Sequence, residues 1–459
     1  MADTVKIPAQ KKLQRMINQI RQEILSGSIK HGEFLPSEKI LAKKYGISNV
    51  TVRQGLDVLV EERLIEKIPR VGNRVNQPEI HGIKTVKFAY YKSMIQEAAL
   101  EQLVSSFHEK YPNIGVNLIS VDDPSKMVEI MESEQFDVLT INHNGFLKYK
   151  EHNGKDVFES FDFDAETYPF LKEPLSMNGQ LKAKPFIFSP LVLCYNKDHF
   201  QEKELLEPDS GWQWGELFEI ADKLAVDHER LGFYCHILSH NRWPVFLMQS
   251  GERFRTNEEG QVAICNSRLM DGMKACRDLV SLLNRNPFLS ENDEDAEELF
   301  FNGKVSMIMT SYMRLNHYAH DLQFPFELAP LPYLNEPATL LQVIGLAVNH
   351  RSTVKESARC FIDYMTSYEA QLMIRQHTLS IPAHKRAAEW SGEEKIYRPS
   401  RFFLYRDIIP TYRLIDWLNL RQVELNKFRT KAKLYWSGLV TEDQVCRQLE
   451  ELLNEKAAK

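Results

Sequence analysis

The stretch from Leu35 to Arg53 decides the fold of the N-terminal part of this chain. It begins Leu35-Pro36-Ser37-Glu38 and ends Gly46-Ile47-Ser48-Asn49-Val50-Thr51-Val52-Arg53. We expect Ser37 to accept the free amide hydrogens of a helix, and Glu38 to lie in its first turn, where the helix dipole favours an anion. Gly46 ends this helix, and Ser48 starts another after a short turn. Two helices joined in this way predict a helix-turn-helix.

The second helix of this pair has one apolar face and one exposed polar face. Its inward positions are Val52, Leu56 and Leu59. Asn49, Thr51 and Arg53 are therefore expected on the exposed first turns, where a recognition helix presents side chains to DNA. An asparagine can pair with adenine and an arginine with guanine in the major groove.

The flanking sequence completes a small domain. Residues 11–26 carry an apolar stripe at helical spacing, which predicts a helix before the pair. Leu64-Ile65-Glu66-Lys67-Ile68 alternates like a strand, and Arg74-Val75 returns after a turn. This hairpin is expected to form a basic wing along a phosphate backbone.

These residues resemble the GntR family of bacterial regulators. The shared positions are Gly32, Leu35-Pro36-Ser37-Glu38, Leu41-Ala42, Gly46-Ile47-Ser48, Thr51-Val52-Arg53, Leu56, Leu59 and Gly72. The sequence departs from the family pattern at Asn49, Gly55, Arg70 and Asn73, which leaves the operator sequence open. The resemblance implies a homodimer on double-stranded operator DNA. The expected DNA contacts are Ser37, Ser48, Asn49, Thr51, Arg53, Lys67, Arg70, Gly72 and Arg74.

The charge distribution agrees with a nucleic-acid-binding head. The whole chain of 459 residues has a net charge of −6, yet residues 1–80 hold 14 basic and 9 acidic side chains. The remaining residues hold 43 basic and 54 acidic side chains. Only the head is therefore suited to a polyanion.

The sequence also suggests a cellular location. The first ten residues contain no apolar run of the kind a secretory signal needs, and no stretch approaches the roughly 20 apolar residues of a membrane helix. The six cysteines have no metal-binding spacing, so we expect reduced, mostly buried thiols. We expect a cytoplasmic protein without membrane contact.

A polar linker at 77–84 precedes a large region, 85–459, in which strand and helix signals alternate. Val86–Tyr90 and Val116–Val121 read as strands, and Ile95–Lys110 between them reads as a helix. This alternation predicts an α/β fold. The chain as a whole is then an α/β multidomain protein with a winged helix-turn-helix at 1–76.

The large region resembles family 1 extracellular solute-binding proteins, which have the two-lobed periplasmic-binding-protein fold. The resemblance rests on Phe107 to Val116, Phe136-Asp137-Val138-Leu139, Pro185 through Leu193-Cys194-Tyr195-Asn196-Lys197-Asp198 to Phe200, Trp212 to Leu217, Phe300 to Met307, Gly345 to Val348 and Ser380-Ile381-Pro382. It implies one lobe near 85–190 and 328–368 and a second near 191–327 and 369–459. The segments Ser189–Cys194 and Phe326–Pro332 are expected to cross between them.

A solute should then bind in the cleft between the lobes, at the carboxyl ends of strands. The expected ligand contacts are Tyr91, Lys92, Asn142, Trp243, Tyr312 and Gln342. Trp243 fits either a buried core position or a stacking face for a sugar ring. The resemblance implies that the solute is a sugar or oligosaccharide.

No sequence pattern for catalysis, nucleotide binding, a metal or a cofactor was found, so an enzyme is not expected. The resulting hypothesis is a solute-responsive transcription regulator of transport or catabolic genes. One alternative is a winged-helix regulator whose large domain only dimerises or docks a protein. Another is a pyridoxal-phosphate enzyme, which would be yellow when purified.

Overall fold

The structure is a computed structural model, and it describes most of the chain. The described residues are 9–25, 28–69, 71–76, 84–122, 126–127, 129–130, 135–153, 157–258, 261–285, 288–317 and 324–454.

The N-terminal domain, called the head below, is a winged helix-turn-helix. Its elements are α1 (Ala9–Leu25), α2 (Glu38–Tyr45), α3 (Asn49–Glu61), β1 (Ile65–Ile68) and β2 (Gly72–Val75). The helices bury a common core that includes Ile17, Ile20, Leu41, Val52 and Leu56. Gly46 closes α2 in the left-handed conformation (φ +61°), which L side chains adopt at a cost. The hairpin of β1 and β2 is antiparallel, as the alternating sequence predicted.

Two contacts hold α1 against α3. A Cβ atom at Gly55 would lie 2.5 Å from Cε of Met16 and 2.8 Å from Cδ1 of Leu13, so α1 approaches the backbone of α3 closely at this glycine. The Arg21 guanidinium donates to Glu62 at the end of α3 at 2.8 and 2.5 Å, and its side chain is only 8% exposed. The glycine that departs from the GntR pattern therefore has a packing role.

The large domain, called the body, is built on strands of one extended sheet. The strands are β3 (Lys84–Tyr91), β4 (Ile114–Val121), β5 (Val138–Asn142), β6 (Ser176–Met177), β7 (Gln180–Leu181), β8 (Lys184–Asn196), β9 (Leu231–Tyr234), β10 (Val305–Ser311), β11 (Phe326–Ala329), β12 (Thr339–Val348), β13 (Ile381–Pro382) and β14 (Tyr412–Arg413). The order along the sheet is β4-β3-β5-β12-β8-β10-β9, while β6 and β7 form a separate hairpin. Strands β4, β3 and β5 are parallel, and β12 is antiparallel to β5.

Strand β8 passes from one lobe to the other. Its first half, to Pro190, pairs with β12 in the first lobe. Its second half, from Leu191, pairs with β10 in the second lobe. Strand β11, where the second crossing was expected, pairs with β8 inside the second lobe. The chain returns to the first lobe only as it enters β12, because β12 pairs with β5 from Ile344 onwards.

Helices cover both faces of the sheet. They are α4 (Met94–Glu97), α5 (Leu100–Lys110), α6 (His143–Asn153), α7 (Lys197–Glu202), α8 (Trp214–Leu224), α9 (Pro244–Met248), α10 (Leu269–Leu283), α11 (Asp293–Phe301), α12 (Lys355–Met365), α13 (Tyr368–His377), α14 (Lys385–Ala388), α15 (Leu404–Asp407), α16 (Gln422–Trp436) and α17 (Glu442–Asn454). Within the described ranges, no helix is both long and apolar enough to span a bilayer.

Side chains of β8 alternate between two hydrophobic cores, as the two-residue period of a strand requires. Val192 and Cys194 pack in one core, and Leu191 and Leu193 pack in the other.

The structure also moves a second predicted lobe boundary. All residues after 369 were expected in the second lobe, but β13 pairs with the first-lobe half of β8 at Phe188. Glu369 is also paired with Lys110 on α5, at 2.7 Å. Segment 368–388 therefore packs on the first lobe, and Ile415 and Leu449 in the later helices join the core of the second.

The cysteines also differ from expectation. Cys265 and Cys446 form a disulfide with 5.4 Å between their Cα atoms, which ties the loop before α10 to α17. Cys194, Cys235, Cys276 and Cys360 are free thiols, as expected. Spacing in the sequence gave no signal for the pair because 181 residues separate its members.

Candidate functional site

The exposed face of α3 carries the side chains predicted to read DNA. Ser48 caps the helix, with its Oγ accepting from the backbone N–H of Thr51 at 3.1 Å. The two hydroxyls of this pair lie 2.8 Å apart. Asn49 and Arg53 are exposed on the first turns. Ser37 differs from expectation: its side chain makes no capping hydrogen bond, and its carbonyl accepts from Ile40 and Leu41.

Three of the basic side chains predicted to contact DNA are each paired with a carboxylate. Arg53, 63% exposed, donates to Glu38 at 2.7 Å. Lys67 on the wing pairs with Asp57, and Arg74 pairs with Glu66. Such exposed pairs contribute little stability, so a phosphate can replace the carboxylate at small cost. Gly72 begins β2 with φ +146°, and Arg70 lies outside the described residues.

A cavity of about 830 Å³ lies between the two lobes of the body. Its first-lobe wall comes from the loops after β3 and β5 and from β12. Its second-lobe wall comes from the loop before α9, the start of α11 and the end of β10. The polar lining residues are Tyr91, Lys92, Ser93, Gln96, Glu97, Asp122, Asn142, His143, Asn144, Asn241, Arg242, Asn292, Asp293, Glu294, Ser311, Arg314, His317 and Gln342.

The first-lobe wall is held by hydrogen bonds between neighbouring strands. The backbone N–H of Tyr91 donates to Thr140 Oγ1 at 3.0 Å, and the Tyr91 hydroxyl accepts from the N–H of Asn142 at 3.1 Å. Burial raises the pKa of this hydroxyl, so it stays protonated. Asn142 Oδ1 accepts from the N–H of Gly145 at 2.7 Å. These contacts fix the direction of both side chains before any ligand arrives.

Two arginines on the second-lobe wall are oriented by one buried carboxylate. Glu297 on α11 is 1% exposed and accepts from Arg314 at 2.8 Å and from Thr310 at 2.9 Å. Arg242 lies 3.6 Å from the same carboxylate and 3.5 Å from Asp293. Burial raises the pKa of the Glu297 carboxyl against the opposing effect of the two arginines. The arginines are thus fixed hydrogen-bond donors at the cavity wall.

Two polar atoms at the cavity have no hydrogen-bond partner among the described residues. They are Oδ1 of Asp293 and Oγ of Ser311, and both are buried. Buried polar atoms are normally hydrogen-bonded because an unsatisfied one costs about 1–3 kcal/mol. A hydroxylated ligand would satisfy both atoms.

The structure brings together four of the six predicted ligand contacts. Tyr91, Lys92, Asn142 and Gln342 line the cavity. Trp243 is not there: it is fully buried and stacks on Phe428 with ring centroids 5.8 Å apart. Tyr312 is also fully buried, and its hydroxyl donates to the carbonyl of Phe402 at 3.0 Å. These two expectations fail because each ring is enclosed by neighbouring apolar side chains.

The sequence analysis missed the charged part of the second-lobe wall. The acidic run from Glu291 is typical of a solvated helix start, and Asn292 caps α11 with a capping box. Asp293 nevertheless reaches the cavity, as does Arg314 after β10. Only the order of strands could have placed these residues opposite Asn142.

One group of possible metal-ligating atoms occurs in the described part of the chain. Sγ of Cys265, Sγ of Cys446 and a carboxylate oxygen of Glu450 lie within 4.8 Å of one another. The two sulfurs are bonded to each other, and Glu450 Oε1 accepts from the backbone N–H groups of Ile264 and Cys265 at 2.7 and 2.8 Å. The group is a structural link, and we assign no metal to it.

Comparison with known families decides the affiliation of the chain. Residues 102–397 match the family described as bacterial extracellular solute-binding protein, over more than half of the chain. The chain belongs to this family. Residues 12–75 match the gntR family of bacterial regulatory proteins, which confirms the predicted winged helix-turn-helix. The solute-binding fold is thus joined to a regulator head.

Curated relatives match each part separately. The head is 40% identical over 72 residues to the mannosyl-D-glycerate transport/metabolism system repressor MngR of Escherichia coli K12, covering 16% of this chain and 30% of that protein. The body is 24% identical over 235 residues to the sn-glycerol-3-phosphate-binding periplasmic protein UgpB of Shigella dysenteriae, covering 48% of this chain and 53% of that protein. The chain therefore spans only part of each relative.

Solved structures confirm the two-lobed fold. The substrate-binding protein Lmo0181 of Listeria monocytogenes, in complex with cycloalternan, gives a TM-score of 0.66 at 18% identity, covering 82% of this chain and 99% of that one. A solute-binding protein of Thermotoga lettingae bound with α-D-tagatose gives 0.68 at 17% identity, covering 81% and 99%. Maltose-bound MalE3 of Thermotoga maritima gives 0.65 at 18% identity, with the same coverage.

Proposed function

We propose that this protein is a transcription regulator that binds operator DNA as a homodimer and responds to a small solute in its interlobe cavity. The observation that carries the proposal is the cavity itself, about 830 Å³ in volume and lined by polar groups of both lobes, on the same chain as a winged-helix head. A protein with such a head acts where the DNA is, inside the cell. The genes controlled would serve transport or breakdown of the solute.

The chemistry of the lining favours a hydroxylated solute. Amide side chains such as Asn142 and Gln342 offer both donors and acceptors. Ser311 Oγ and Asp293 Oδ1 add two atoms without a hydrogen-bond partner among the described residues, although this Oδ1 lies 3.5 Å from Arg242 Nε. The sugars named in the related solved structures support the same class, a mono- or oligosaccharide. A solute that contacts both walls favours the closed arrangement of the lobes over the open one.

A thermal-shift screen of mono- and oligosaccharides tests solute binding. A specific sugar at a hundredfold excess over its Kd should stabilise the protein by about 2.7 kcal/mol. Gln342→Ala should weaken this response, because Gln342 lies on the cavity wall. Gln201→Ala, an exposed site on α7, is the matched control and should respond like the wild type.

A flat response of the wild type to sugars, amino acids and peptides alike would contradict solute sensing. That result would favour a body that only dimerises or docks a protein.

The DNA experiments below need an operator. It is obtained by selecting, from a pool of random-sequence duplexes, the sequences that the full chain binds.

A further inference from the structure

A second cavity, which we call the side cavity, lies next to the interlobe cavity. Its volume is about 350 Å³. Three aromatic and three charged residues give it its character: Phe170, Tyr412, Trp417, Arg253, Arg413 and Asp416. Leu341 of β12 lines both cavities, so the two are neighbours across one strand.

A hydrogen bond connects the two cavities. His143 lines the interlobe cavity, and its Nε2 lies 3.2 Å from Oδ1 of Asp416, which lines the side cavity. His143 directly follows β5 in the first lobe, and its Nδ1 lies 2.8 Å from the carbonyl of Pro174. Ile415 and Leu418, on either side of Asp416, are buried in the second-lobe core. The boundary between the cavities is therefore also a contact between lobes.

The side cavity contains two arginines without a carboxylate partner. The guanidinium carbon of Arg253 lies 4.7 Å from the ring centroid of Trp417, and that of Arg413 lies 5.7 Å from it. Neither arginine has a carboxylate oxygen within 4.0 Å in the part of the chain that the structure describes. The arginines of the interlobe cavity, Arg242 and Arg314, are both neutralised by acids.

Hydrogen bonds to backbone carbonyls hold the Arg413 guanidinium at the tryptophan, and the backbone next to Arg253 is also anchored. Arg413 donates to the carbonyls of Pro410 and Tyr412 at 3.1 and 2.9 Å. The residue after Arg253, Phe254, donates its N–H to the carbonyl of Leu418 at 3.2 Å. The two guanidinium groups are thus held on one aromatic platform with hydrogen-bonding capacity to spare.

The linings of the two cavities differ in charge. The interlobe lining holds the carboxylates of Glu97, Asp122, Asp293 and Glu294, against three cationic side chains, so an anionic group is disfavoured there. In the side cavity two arginines face Asp416, which already pairs with His143. Binding of an anionic group is therefore more favourable beside Arg253 and Arg413 than in the interlobe cavity.

We propose that the side cavity binds the anionic group, a carboxylate or phosphate, of a small hydroxylated ligand. This inference rests on the proposed solute sensing. The rings of Trp417 and Tyr412 offer flat faces against the apolar side of the ligand, and the two arginines donate to its anionic oxygens. The ligand class is thus an acidic or phosphorylated sugar or polyol.

Matched neutral and anionic probes test this inference by calorimetry on the full chain. The probes are glucose, glucuronate and glucose 6-phosphate, and glycerol, glycerate and glycerol 3-phosphate. At least one anionic probe should bind more tightly than its neutral counterpart. Arg253→Gln and Arg413→Gln should each weaken that anionic probe about tenfold or more, and leave the neutral counterpart within about twofold.

Arg277→Gln is the control, because Arg277 is stacked on Tyr435 at 5.2 Å, away from both cavities. It should leave all affinities unchanged. Equal binding of anionic and neutral probes, or anionic binding that survives both arginine changes, overturns the side-cavity inference while solute sensing stands. No binding of any probe, together with a flat sugar screen, overturns both.

Discussion

We expect operator binding to depend on Arg53 more than on any other residue of the head. It is exposed on the recognition helix and held only by Glu38. Arg53→Ala should weaken binding to the selected operator by about 1–3 kcal/mol, roughly 5- to 150-fold, because a contact to a base or phosphate is lost. Fluorescence anisotropy at physiological salt measures this change.

Arg15→Ala is the control for Arg53. Arg15 is exposed on α1 and carries the same charge, but it lies on a helix that is not expected in the groove. Its loss should change the operator affinity little. If both variants bind like the wild type, the assigned DNA surface is wrong.

His108 on α5 should make the body sensitive to mild acid. It is 8% exposed, and burial, aided by the charge of Arg21, lowers its pKa to about 4. Between pH 6.5 and 4 the unfolded chain takes up a proton that the folded state refuses, so stability present above pH 6.5 is lost as the pH falls. From pH 7 to 5, His108→Gln should lose about 2 kcal/mol less stability than the wild type.

Thermal unfolding at pH 7 and pH 5 measures the effect of His108→Gln. His31→Gln is the control, since His31 is exposed in the head and should leave the pH dependence unchanged. An equal fall in Tm for the wild type and His108→Gln would contradict a neutral, buried His108.

The sequence predicted site residues well where the position of a residue at the end of a strand determines which edge of the sheet it reaches. Tyr91 and Asn142 end neighbouring parallel strands, so their side chains reach the same edge. Trp243 could not be placed in this way, because a large ring beside a loop suits a core as well as a cleft. Its burial against Phe428 and Trp436 comes from residues nearly 200 positions later.

At the scale of elements, the disulfide should stabilise the attachment of α17. Cys265 and Cys446 join segments 181 residues apart, and closing so long a loop removes much conformational freedom from the unfolded chain. Cys446→Ser, or reduction by dithiothreitol, should lower stability by about 2–5 kcal/mol. Thermal unfolding with and without reductant measures this.

Cys360→Ser serves as the control for the disulfide, because Cys360 is a partly buried free thiol. The Tm of Cys360→Ser should fall with dithiothreitol as the Tm of the wild type does. If dithiothreitol reduces the disulfide of the wild type without lowering its Tm, a stabilising role of the disulfide is contradicted.

The elements with local signals were predictable, and their partners were not. The final helix begins at Glu442 after Thr441-x-x-Gln444, a spacing typical of a capping box: Thr441 accepts from Gln444 at 3.3 Å and donates to it at 2.8 Å. The expected helix from Ile95 is instead divided, because Ala99 takes a left-handed conformation with φ +50° before α5. Segment 368–388 was assigned to the wrong lobe since pairing of β13 with β8 is a long-range contact.

At the scale of the whole molecule, the proposed function requires that the body couple the DNA-binding surface of the head to the interlobe cavity. Strand β8 runs between the lobes, so closure around a solute would move one lobe relative to the other. In a dimer, that movement changes the spacing of the two heads on a palindromic operator. A coupling free energy of about 1–3 kcal/mol would change operator affinity roughly 5- to 150-fold.

The most direct measurement is the operator affinity of the full chain, by anisotropy, with and without the sugar that stabilises it in the thermal-shift screen. We predict that saturating sugar changes the Kd for operator at least about fivefold in the wild type, and that the change is smaller in Gln342→Ala at the same sugar concentration. An operator Kd that is the same with and without bound sugar would contradict this prediction.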